Sequence, residues 1–153
     1  MIIINYSNFI QTAITSPTKK NLRDLVEISM QKNYNMIVIN IEIITRSYMT
    51  MLNKQYRGKN RPTNIISLEY PSENKYLTGD IFLCHDVIKI EAKSQQKQIL
   101  DHYFHLILHG LLHLQGFDHI KESDAQEMES LEILMLKKMG IQNPYLTNIN
   151  RSK

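Results

Sequence analysis

Residues His109 to His119 read HGLLHLQGFDH and set three histidines at H-x3-H-x5-H, with Gly116 between the last two. Histidines four apart on a helix lie roughly 6 Å apart at Cβ, close enough for His109 and His113 to converge on one Zn²⁺ at about 2.0–2.1 Å per bond. Gly116 follows His113 by three residues, where it can end the helix in a left-handed conformation and turn His119 back toward the pair. Three neutral nitrogens with no obvious fourth ligand favour one zinc ion with an open position for water. An open position implies catalysis, because coordination can lower the pKa of water to about 7.

The same stretch resembles the metzincin protease spacing HExxHxxGxxH, but Gly110 stands where those enzymes carry the glutamate that activates water. The metal geometry fits and the peptidase chemistry does not. Upstream, His102, His105, His109 and His113 follow one another at 3, 4 and 4 residues, which places them within roughly 80° of one another on a helix. Leu106, Ile107, Leu108, Leu111, Leu112 and Leu114 surround this stripe, so burial is expected, and each buried imidazole then needs a hydrogen-bond partner. His105, a full turn from the pair, is read as a neighbour that supports the ligands or fills the pocket. Asp118 could accept an imidazole N–H and fix a ligand ring, or simply shape the turn.

A second chemical signal is KQYRGKNR, which crowds Lys54, Arg57, Lys59 and Arg61 into eight residues. A guanidinium can grip two phosphate oxygens and hold charge that develops in phosphoryl transfer. Lys54, Lys59 and Arg61 are candidates to attract a nucleic-acid backbone; a solvated basic loop is the plainer reading of such a cluster. The net charge of +3 permits a polyanionic partner without requiring one, and Glu122, Asp124, Glu127, Glu129 and Glu132 load the later segment with acid.

The elements that must position these groups follow from periodicity. Ile2 to Ile4 and Met36 to Ile41 read as strands around a helical segment from Lys19 to Tyr34, a crossover suited to parallel strands. Helical spacing resumes after Glu42 through Ile44, Tyr48 and Leu52 and stops at Gly58. TNIISLEY and TGDIFLCHDVI read as a hairpin around PSENK. Ser94 is placed to cap a long helix from about Gln95 to Leu114, and Ser123 with Gln126 has capping-box spacing for a last helix to about Met139, stopped by Gly140. The polar tail from Asn143 is expected to fray. The 153 residues, 42% hydrophobic, suit one domain over 1–153, of α+β class, with a mixed four-stranded sheet, flanking helices and a zincin-like metal site on the long helix. No apolar run approaches the roughly 20 residues of a membrane span. MIIINYSNFIQ has no basic n-region. With Cys84 as the one cysteine no intrachain disulfide can form, which fits a reducing cytoplasm.

HGLLHLQGFDH resembles the signature HGxLHLxGYDH of the YbeY family of bacterial endoribonucleases. LNKQYRGKNRPTNIISL is similar to that family's LNxxYRxKdxPTDVLSF, GDIFLC to its GDIxIC, and ESLEILMLKKMGIQNPY to its C-terminal helix. Asn64, Leu68 and Phe117 depart from the usual residues, and none of these changes removes a ligand. The resemblance implies zinc on His109, His113 and His119, Arg57 as the arginine needed for cleavage, and a single-strand-specific activity in 16S rRNA 3′-end maturation and ribosome quality control. It also implies a cytoplasmic location and, as partners, single-stranded rRNA, the ribosomal small subunit and assembly factors such as a ribosome-associated GTPase. Two other readings stand beside it: a zinc metalloprotease-like hydrolase, and a non-catalytic ribosome-assembly or RNA-binding factor whose structural zinc is closed by Cys84.

Overall fold

The computed structural model describes residues 1–10, 15–73, 75–117 and 121–146. Chain order is β1 (Ile2–Asn8), α1 (Lys19–Ser29), β2 (Met36–Ile44), α2 (Arg46–Arg57), β3 (Ile65–Tyr70), β4 (Tyr76–Cys84), α3 (His85–Ser94), α4 (Ile99–Leu114) and α5 (Glu122–Lys138). The strands form one sheet in the order β1-β2-β4-β3. β1, β2 and β4 run parallel, and β3 joins β4 as the antiparallel arm of the expected hairpin. The domain is therefore α+β with a mixed four-stranded sheet, as the patterning implied.

Side chains alternate across a strand, and the burial follows that alternation. Ile37, Ile39, Ile41 and Ile43 of β2, with Ile81 and Leu83 of β4, pack into the cluster that holds α1 and the apolar flank of α4. Ile44, Ile66, Phe82 and Cys84 point to the other face and meet Met49 and Leu52 of α2. No helix among the described residues is long and apolar enough to cross a membrane.

Several boundaries differ from expectation. β1 continues to Asn8 and β2 to Ile44, while α1 ends at Ser29, well short of Tyr34. Ile44 therefore belongs to a strand, and α2 begins after Thr45, whose side chain accepts from the Tyr48 amide. The long helix starts at Ile99, and Ser94 is the last residue of a separate helix, α3. The run Asp86-Val87-Ile88 reads as strand because it is β-branched; the helical spacing of the buried residues His85, Ile88 and Ala92 wins instead. The break before α4 passes through Gln96 at φ 54 with no glycine or proline to announce it. α5 begins at Glu122 with Ser123 inside it, and Glu122 and Asp124 occupy the first turn, where the helix dipole favours carboxylates.

α4 is buried nearly all round, and one contact sets how closely it approaches the sheet. A Cβ built on Gly110 would lie 2.6 Å from Ser67 Oγ and 3.0 Å from Ile65 Cδ1, both on β3. Gly110 thus lets the histidine helix lie against the hairpin, and a glutamate there has no room. Gly110→Glu is expected to lower stability by more than about 3 kcal/mol through overpacking and burial of charge; urea unfolding checks this, and an unchanged midpoint would contradict the close-contact reading.

Candidate active site

His109 and His113 sit on successive turns of α4, and their rings meet edge to face with centroids 4.5 Å apart. Their Nε2 atoms face each other at 2.9 Å. Each Nδ1 is engaged elsewhere: that of His113 donates to the Phe117 carbonyl at 2.9 Å, and that of His109 lies 3.3 Å from both oxygens of Glu132. With Nδ1 carrying the proton, each Nε2 presents a lone pair toward the same point, the donor arrangement of a metal-ligating pair. The separation is close to the roughly 3.3 Å that two ligands at about 2.0–2.1 Å subtend on a tetrahedral zinc. These residues fit zinc by donor chemistry and orientation.

Gly116 ends α4 in the expected manner. Its φ of +96 lies where a side chain is strained, and the turn it makes carries the Phe117 carbonyl back to His113. His119 and Asp118 fall outside the described residues. Among the described residues no group of three metal-ligating side chains occurs.

His102 and His105 each find a carboxylate partner for Nε2, while the Nδ1 of each is buried without one among the described residues. His102 Nε2 bonds Glu91 at 3.0 Å and His105 Nε2 bonds Glu132 at 2.8 Å. Burial lowers the pKa of His105 despite the adjacent Glu132 carboxylate, so it stays neutral. His105 thus shares the acceptor that orients His109.

Arg57 is the last residue of α2, and its Nη2 donates to the Ile65 carbonyl at 3.3 Å. Arg57 and Lys59 line the same cleft, of about 750 Å³, as His105, His109 and His113. The loop that carries them is held by Asn53, buried on α2, whose Nδ2 donates to the Arg61 carbonyl at 2.7 Å and whose own carbonyl accepts from the Lys59 amide at 3.3 Å. Arg61 is not among the residues that line this cleft. Cys84 lies in the cluster under α2, and burial pushes its thiol pKa up. It thus packs with α2 and is not among the residues that line the cleft of the histidine pair.

The family profile described as Endoribonuclease YbeY matches residues 4–140. The chain belongs to this family. It is 41% identical to the Endoribonuclease YbeY of Colwellia psychrerythraea, over 85% of this chain and 88% of that one. It is 39% identical to the protein of the same name from Francisella philomiragia, over 84% and 89%. In three dimensions it is similar to the solution structure of TM1509 from Thermotoga maritima, at a TM-score of 0.52 and 18% identity over 90% of this chain and 91% of the other. That likeness bears on the fold.

Two residues of this family member's site escaped the sequence reading. Glu132 was counted with the acidic face of α5, yet it is fully buried and also accepts from the Tyr145 hydroxyl at 2.9 Å. Its spacing held the signal, since Met128, Glu132, Met135 and Leu136 form one buried stripe. Tyr145 lies in the tail expected to fray; instead the chain through Leu146 packs back, and the Tyr145 ring stands edge-on to His105 at 5.3 Å.

Burial alone would raise the Glu132 pKa, but the hydrogen bonds from His105 and His109, and the charge these imidazoles carry once acid protonates them, outweigh it and hold the carboxyl at about 2 against an ordinary 4.5. A carboxyl depressed by folding stabilises the protein above its unfolded pKa and loses that contribution as pH falls through the folded one. Metal-free wild type should therefore lose stability between about pH 4.5 and 2 more steeply than Glu132→Gln. Glu132→Ala, which strands buried donors, should cost about 3 kcal/mol at neutral pH. Urea titrations across pH test both; parallel acid limbs for wild type and Glu132→Gln would refute the assignment of an ionised Glu132.

Proposed function

We propose that this protein is a zinc-dependent endoribonuclease that cuts single-stranded rRNA, acting in 16S rRNA 3′-end maturation and ribosome quality control. The observation that carries the reading is one cleft in which a guanidinium, Arg57, stands with two imidazoles whose Nε2 atoms converge. The relatives' name, Endoribonuclease YbeY, supports the reaction class, and the motif resemblance supports the rRNA substrate. His109, His113 and His119 would hold one zinc ion. When bound, such an ion supplies Lewis acidity toward phosphate oxygens and lowers the pKa of water.

The chain's own groups do the rest. Arg57 binds the scissile phosphate and stabilises the charge that accumulates on it. Lys59, in the same cleft, draws in the backbone. Glu132 and the Phe117 carbonyl keep the ring protons of His109 and His113 on Nδ1. A peptidase reading is opposed by Gly110, where a glutamate would collide with β3. A structural site closed by a thiolate is opposed by the placement of Cys84. The motif resemblance extends the proposal to a cytoplasmic setting, with the ribosomal small subunit and assembly factors such as a ribosome-associated GTPase as partners.

Metal-loaded protein should cut a single-stranded rRNA fragment. Arg57→Glu should slow cleavage by about 10²–10³-fold, the usual cost of removing a group that stabilises transition-state charge, and His113→Ala by at least as much. Gel analysis of end-labelled RNA reads the result. An inert wild type, or variants that cut as fast as it does, would overturn the assignment.

A further inference from the structure

Beside the proposed cleavage cleft opens a second cavity of about 630 Å³, and the two share Asn64, His105, Leu106 and Tyr145. Part of its lining is apolar, from Leu106, Pro144, Leu146 and the Tyr145 ring. The Tyr145 ring is well exposed, at 39%. It is also held still, by its hydroxyl on Glu132 and its edge-on contact with His105. A fixed, exposed aromatic loses little conformational entropy when a flat ligand stacks on it.

The polar part of the lining is equally ordered. Glu91 accepts from Asn64 Nδ2 at 3.0 and 3.3 Å and from His102 Nε2 at 3.0 Å. Burial would raise the Glu91 pKa, yet these hydrogen bonds outweigh it, so the group is ionised at neutral pH. An ionised carboxylate repels phosphate, while it accepts from the amino edge of a nucleobase. The first cavity, lined by Arg57 and Lys59, is the more cationic of the two, because in the second Glu91 offsets the charge of Lys97.

The geometry points to the second cavity as a subsite for the unpaired base of the nucleotide adjoining the scissile phosphate, with Tyr145 as its stacking platform and Glu91 and Asn64 facing its donor edge. This rests on the nuclease reading above and accounts for strand selectivity. A base in a duplex is stacked and its edge is paired, so only single-stranded RNA can deliver one into the cavity.

The test uses single-stranded oligoribonucleotides with 2-aminopurine stepped through successive positions, bound to protein kept metal-free with chelator so that none is cut. Wild type and Tyr145→Phe should both quench the fluorophore at one position. Tyr145→Ala should abolish that quenching and weaken binding by about tenfold, within the range for loss of one base–aromatic stack. If Tyr145→Phe binds and quenches no better than Tyr145→Ala, the residue acts only through its bond to Glu132 and the subsite is refuted. Binding and quenching indifferent to Tyr145→Ala also refute it, while zinc-loaded cleavage of RNA would leave the nuclease reading standing. Oligonucleotides that neither bind nor, with zinc, are cut would overturn both.

Discussion

The site depends on one buried carboxylate. Glu132 has no solvent exposure and accepts from His105, His109 and Tyr145. An ion in a protein interior persists only where its lone pairs are met by donors, so these contacts stand or fall together. They tie three parts of the chain, α4, α5 and the turn after α5, to one point. They also set the tautomer of His109, and with it the direction of the nitrogen that would meet a metal.

Around that point the fold is arranged so that α4 can serve as both core and site. The helix buries Leu108, Leu111 and Leu112 and carries His105, His109 and His113 along the cleft. Gly110 makes this economical, because a helix without a side chain at that position can touch β3 directly and bring the hairpin's Ile65 carbonyl to Arg57. The end of the helix is anchored too: Gln115 donates to the Ser29 carbonyl at 2.8 Å and accepts from the Gln31 amide at 2.8 Å. The histidine pair is thus braced from α1 as well as from α5.

Much of the sheet was legible because strand alternation and the hairpin turn are local signals. α3 was not, since Val87 and Ile88 are β-branched and the helix is short; its identity came from packing Ile88 and Ala92 into the interior. The histidine pair was legible from spacing alone, as was the left-handed end at Gly116. Arg57 was legible as a candidate for phosphate binding, but its presence in the histidine cleft was not, because α2 and α4 are far apart in the chain. Arg61 looked equivalent to Lys59 in sequence; Asn53 holds the backbone of both, and of the two only Lys59 lines the cleft.

By itself, then, the sequence determined the local chemistry: two imidazoles at helical spacing, a glycine able to reverse the chain, a basic turn after a helix, and a glycine in place of a protease's base. The tertiary structure decided which of these groups share a cavity and which way each imidazole points. It also decided that one glutamate of an acid-rich helix is an interior ion and that a polar tail folds back to place Tyr145 at the cleft. The physical reason is that spacing along one helix is set by backbone geometry, whereas a buried charge and its donors are assembled from segments that only the packed core brings within hydrogen-bond distance.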